Sequence, residues 1–130
     1  MSAERALFDA YREWRRLAWA GRKAIGKRDW GFLLECQSLV RQIQPSIASL
    51  RQQAQDEWRR TKADCAAKEK DLRAMVLELK DLLESNKKLL HAARLTALAR
   101  RQTLEQAGRN LKRLRDSYAS ARPPAWTSFS

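Results

Sequence analysis

Apolar residues return at every third or fourth position along most of this chain, the spacing of one face of an α-helix. The first stripe, Leu7, Tyr11, Trp14, Ala18, Gly21 and Ile25, predicts a helix over about 3–25, with Phe8 and Trp19 lying off it. The segment "IGKRDWGF" then interrupts. Gly26 suits a helix C-cap, and the Asp29 carboxylate can accept from the N–H groups of a new helix that begins at Trp30. That second helix, expected over 30–62, carries Leu33, Cys36, Val40, Ile43, Ile47, Leu50 and Ala54 as a heptad a/d seam. Pro45 removes one ladder hydrogen bond. The seam nevertheless stays in phase from Ile43 to Ile47 and Pro45 falls on the opposite face, so a bend is expected there rather than a stop.

Residues 59–71, RRTKADCAAKEKD, hold no large apolar side chain. A longer seam follows: Val76, Leu79, Leu83, Asn86, Leu90, Ala93, Ala97, Arg100, Leu104, Ala107, Leu111, Leu114 and Tyr118. Carried forward, the earlier heptad frame misses Val76 by one residue. A single straight coiled coil would need a skip there, whereas two helices joined by a turn near 61–68 need none. The expected fold is therefore all-α: a long antiparallel, coiled-coil-like hairpin with a shorter N-terminal helix and an extended C-terminal tail. Its third helix is expected over 69–119, within one helical domain spanning 1–121. Pairing about the turn sets Leu33 beside roughly Ala99, so the segment from Leu104 to Tyr118 must bury its seam elsewhere. The first helix, a second copy and a foreign helix all remain open as its cover.

Composition agrees with a slim helical protein, since 32% of the 130 residues are charged and Gly and Pro together fill only seven positions. Charge changes the picture more. The formal net charge is +12, and between Asn86 and Arg122 there are ten bases against Glu105 and Asp116 alone. Such a balance points towards an anionic partner, and a basic coiled-coil protein that binds nucleic acid is one reading. The bases of this stretch surround the seam on every side, however, and no aromatics interleave with them as a single-strand stacking platform requires.

Catalytic chemistry is not expected. His91, the lone histidine, follows seam residue Leu90 and should face solvent. No glycine-rich phosphate loop, HExxH or CxxC occurs, and Glu78, Asp81 and Glu84 stand at helical spacing beside bases, as surface ion pairs do. The reading is thus a non-enzyme with no catalytic, cofactor or metal site. Cys36 and Cys65 lack metal-ligand spacing, the N-terminus has no signal-peptide core, and no run is apolar enough to span a bilayer. A reduced cytoplasmic protein without membrane insertion is expected. Within the seam, Asn86 and Arg100 could fix register, or Arg100 could snorkel from a thin interface.

The last residues, ARPPAWTSFS, cannot continue a helix through Pro123 and Pro124, so 122–130 is expected to be a flexible tail. Trp126 and Phe129 in that tail suit a latch over exposed apolar surface or a short docking motif. With Leu104, Leu111, Leu114 and Tyr118 they form the candidate partner-binding set.

The layout also resembles a known family. A short opening helix ends at a charged break, "GKRDW"; a long helix follows with the seam "LLECQSLVRQIQPSIASL"; the next bears "LKDLLESNKKLL" and finishes near a tyrosine in "LRDSYASA". From Leu7 to Tyr118 this is similar to the FlgN-like flagellar export chaperones. The resemblance implies a cytosolic chaperone that holds the amphipathic C-terminal helices of hook-associated subunits and delivers them to the type III export apparatus. Its cargo face would map to Leu104, Leu111, Leu114 and Tyr118, with the tail around Trp126 nearby. The chain departs from the family in being basic where such chaperones are usually acidic, and in placing Ala119 where a glycine commonly follows the tyrosine. A structural homodimer is the third reading.

Overall fold

Three helices form in the order α1 (Ala3–Lys27), α2 (Trp30–Arg60) and α3 (Cys65–Ser120). The computed structural model describes residues 2–62 and 64–120. Each helix start has a side chain to receive its unpaired N–H groups. Ser2 Oγ accepts from Arg5 N–H at 3.2 Å, Asp29 Oδ1 from Phe32 N–H at 3.1 Å, and Asp64 Oδ1 from Ala67 N–H at 3.2 Å. The Asp64 cap starts α3 at Cys65, four residues before the expected start. Lacking large apolar groups, CAAKEKD is still rich in good helix formers.

Two boundaries differ from the pattern in an instructive way. Gly26 does not close α1; it is helical, and the closing residue is Arg28, in the left-handed region at φ 59°. The Arg28 N–H donates to the Ile25 carbonyl at 3.2 Å and the Asp29 N–H to the Ala24 carbonyl at 2.9 Å. At the other end of α2, the Thr61 hydroxyl donates to the Glu57 carbonyl at 2.9 Å and Lys62 takes φ 52°. The turn thus needs neither Gly nor Pro. Pro45 lies exposed inside α2 and does not end it, as its position away from the seam requires.

The chain divides into two units, Met1–His91 and Ala92–Ser130. In the first, α1 folds back along the hairpin. Ala3 N–H donates to Glu57 Oε2 at 2.8 Å, which sets the start of α1 beside the end of α2. Gln55 Nε2 donates to Glu69 Oε1 at 2.9 Å, so α2 and α3 are also antiparallel. The contacts of α1 with α3 then rise in step along both: Lys68 to Glu4 at 2.6 Å, Arg15 to Glu78 at 3.3 Å, and Arg22 to Ser85 at 3.3 Å. The result is an up-down-up bundle.

Its core joins Leu7, Tyr11 and Ala18 of α1, Ile47, Ala54 and Trp58 of α2, and Leu72, Leu79 and Leu82 of α3. Each fully buried large apolar side chain contributes about 1.5–3 kcal/mol relative to exposure. The α1 stripe and α2 seam are the buried or half-buried faces expected. The α3 seam is corrected: Leu82 is 7% exposed and Leu83 is 37% exposed. A single-file heptad assumes one neighbour. Here α3 meets two helices, and Leu72, Met75, Val76, Leu79 and Leu82 make the wider face that two neighbours require.

Two substitutions test this account. Leu82→Ala should lower the unfolding free energy by about 2–4 kcal/mol and Leu83→Ala by roughly 1 kcal/mol or less, read by denaturant melts. Equal costs would return the register to the single-file seam. Arg28→Gly should stabilise the protein by about 1 kcal/mol, because glycine takes the left-handed conformation without the side-chain penalty. An unchanged or lowered midpoint would show that the Arg28 side chain matters more than its backbone.

Candidate partner-binding face

The second unit contains the helical residues Ala92 to Ser120 of α3. Ala, Leu, Gln, Lys and Arg dominate this stretch, and they hold a helix with little loss of side-chain freedom. Polar groups are satisfied along the helix itself. Arg101 pairs with Glu105 at 3.2 Å, Gln106 Nε2 donates to Asn110 Oδ1 at 3.1 Å, and Arg109 donates to Gln106 Oε1 at 2.6 Å. The Thr96 and Thr103 hydroxyls donate to the carbonyls of Ala92 and Ala99, each at 3.0 Å.

The apolar side chains have no such outlet. Leu104 is 72% exposed, Leu111 and Leu114 are each 67% exposed, and Tyr118 is 77% exposed. Spacings of seven, three and four residues put all four on one face, so the structure brings together the four helical members of the candidate set. Leu95 and Leu98 are also exposed, but at heptad positions on the far side of the helix from these four. Contiguous bare apolar surface of this kind marks an interaction site more often than an ordinary surface. Trp126 and Phe129, and the whole 122–130 tail, lie outside the described residues. Asn86 belongs to the first unit, where its Nδ2 donates to the Ala18 carbonyl at 2.8 Å and ties α3 to α1 at one register. His91 and Trp19 are exposed, as their places off the seams indicate.

A groove in the first unit was not legible in the sequence. It has a volume of about 390 Å³ and runs between α2, at Leu33, Cys36 and Val40, and α3, at Leu83, Asn86 and Leu90. Ala18 and Gly21 of α1 are among the residues that line it. The only signal for it is the run of small residues, Ala18, Gly21 and Cys36, at positions where a filled seam would carry large ones. Asn86 Oδ1 and Trp14 Nε1, both on residues lining the groove, are buried without a hydrogen-bond partner. Burial pushes the Cys36 thiol up from its ordinary pKa, which disfavours the reactive thiolate.

A second, open concavity is basic and aromatic, lined by Arg12, Arg15, Arg16, Trp19, Lys23 and Phe32 among others. Its arginines are already engaged: Arg12 by Asp9 at 2.8 Å, Arg15 by Glu78 at 3.3 Å and Arg16 by Glu13 at 3.0 Å. The hydrogen bond from Arg16 holds the Glu13 carboxyl below its usual range. Among the described residues no cluster of His, Cys, Asp or Glu could hold a metal ion, and no helix is long and apolar enough to cross a membrane.

Comparisons with family models, with curated proteins and with solved structures found no match.

The two thiols give a direct test of this geometry. Cys65 is exposed and Cys36 is 4% exposed, so a disulfide-exchange reagent at neutral pH should modify one thiol rapidly and the second only on unfolding. Rapid reaction of both would mean that the groove opens on the timescale of the assay.

Proposed function

We propose that this chain is a non-enzymatic helical chaperone or adaptor. On this reading it binds an amphipathic helix of an exported flagellar or type III secreted subunit in the cytoplasm and passes it to the export apparatus. The observation that carries the reading is the exposure of Leu104, Leu111, Leu114 and Tyr118 along one helix face. A partner helix laid along that face removes its apolar surface from water, which is the helix-in-groove mode of recognition. The class of cargo is taken from the resemblance of the sequence layout to FlgN-like chaperones. The competing reading, a basic protein for nucleic acid, draws on the ten bases between Asn86 and Arg122. Those bases surround the apolar seam instead of forming one stripe, and no aromatics interleave with them, which weakens it.

The test uses full-length protein as bait in nuclease-treated lysate of the source organism, alongside Leu104→Asp and Leu111→Asp. The expected outcome is recovery of an exported structural subunit, reduced about tenfold or more by either substitution with helicity by circular dichroism nearly intact. Global unfolding by either change would place these residues in the protein's own core. Capture of nucleic acid alone, and only when nuclease is omitted, would favour the competing reading.

A further inference from the structure

The flanks of the exposed seam are not alike. In heptad lettering, Ala97, Leu104, Leu111 and Tyr118 occupy a, and Arg100, Ala107 and Leu114 occupy d, the preceding d residue Ala93 being already buried. The e edge then reads Arg94, Arg101, Gly108 and Arg115, and the g edge reads Thr96, Thr103, Asn110 and Ser117. One edge is therefore a file of arginines, one heptad apart except where Gly108 leaves a gap, and the other bears no charge. All eight edge residues are exposed. A Cβ added at Gly108 would meet nothing within 4 Å, so the edge is open there as well.

A second copy fits this face poorly in either direction. Antiparallel pairing sets e against e, which would bring two arginine files together. Parallel pairing in register sets d against d, which would bring Arg100 against its own counterpart inside the seam. The segment also holds seven bases, Arg94, Arg100, Arg101, Arg109, Lys112, Arg113 and Arg115, against Glu105 and Asp116, so self-pairing in any register meets general repulsion. Arg101 leans on Glu105, but that pair is largely exposed and is readily exchanged for another carboxylate.

We infer that the face accepts an amphipathic helix with an acidic edge, whose Glu or Asp side chains meet Arg94, Arg101 and Arg115. This rests on the helix-docking reading proposed above and adds the chemistry of the occupant. The apolar seam supplies most of the affinity. The arginine file selects the partner and its orientation, because only one edge of the docked helix meets charge. Opposite Ala97 and Ala107 the partner carries its bulkier seam residues, since small side chains there leave room.

The experiment uses the full chain and two synthetic helical peptides about four heptads long. They share one Leu seam and differ at the edge positions, which are Glu in one and Gln in the other. Fluorescence anisotropy should show the Glu peptide binding about tenfold more tightly than the Gln peptide at low salt, from three exposed charge pairs. That advantage should shrink as salt is raised. The triple variant Arg94→Gln, Arg101→Gln, Arg115→Gln should bind both peptides alike while keeping the wild-type affinity for the Gln peptide. Charge reversal to Glu at the same three positions should instead favour a Lys-edged peptide.

Equal binding of the Glu and Gln peptides by the wild-type chain would overturn the acidic partner and leave helix docking standing. No binding of any peptide would overturn both. A duplex oligonucleotide that binds wild-type protein and Leu104→Asp equally, but fails with the arginine triple variant, would reassign the arginine file to phosphates. A concentration-dependent mass abolished by Leu111→Asp would assign the face to a second copy.

Discussion

The structure turns on a mismatch of length. Helix α2 has 31 residues and helix α3 has 56, so an antiparallel hairpin cannot bury both seams throughout. Where α1 and α2 pack on α3, Leu72, Leu79 and Leu82 enter a core with Leu7, Ala54 and Trp58. Beyond His91 the same heptad pattern continues, and it is there that Leu104, Leu111, Leu114 and Tyr118 stand exposed. A long helix of this kind needs no fresh nucleation, because each residue adds to a turn already formed. Its polar side chains close hydrogen bonds along the helix, while the apolar ones stay exposed.

Register in the first unit is held by few but well-placed polar contacts. Asn86 reaches across to the Ala18 carbonyl, Lys68 to Glu4, and Ala3 N–H to Glu57. Most of these pairs are exposed and contribute little to stability by themselves. The Asn86 bond differs in kind. A one-heptad slip of α3 would put an aliphatic side chain where the amide now sits and an amide against apolar neighbours. Asn86 Oδ1 and Trp14 Nε1, on residues that line the groove, are buried without a protein hydrogen-bond partner.

Much of this was legible from spacing. The stripe of Leu7 to Ile25, the seam of Leu33 to Ala54, the Asp29 cap and the hairpin turn follow from periodicity and local hydrogen-bonding chemistry alone. What failed was what depends on a third helix. Leu82 and Leu72 lie off or before a single-file seam, and Trp58 precedes a polar stretch, yet all three enter a core shared by three elements. Gly26 looked like a helix end because glycine usually is one; the hydrogen bonds of Ile25 and Ala24 moved the closure to Arg28. Of the candidate site, the four helical residues were readable because exposure on one face is a matter of phase. The groove beside Cys36 was not, since an unfilled space depends on side-chain sizes brought together from three helices.

Net charge, read as a single number, suggests any anionic partner. Resolved by position, it says more. In the first unit three of the α1 arginines, Arg12, Arg15 and Arg16, are paired with Asp9, Glu78 and Glu13. Between Ala92 and Ser120 seven bases meet two acids, and three of the arginines fall in one file beside the apolar seam. A polyanion would be served as well by bases on every face and gains nothing from Leu111 or Tyr118. A helix that must be both apolar on one face and acidic on one edge uses both features at once. The asymmetry between the two edges is therefore better matched to choosing among helices than to holding phosphate.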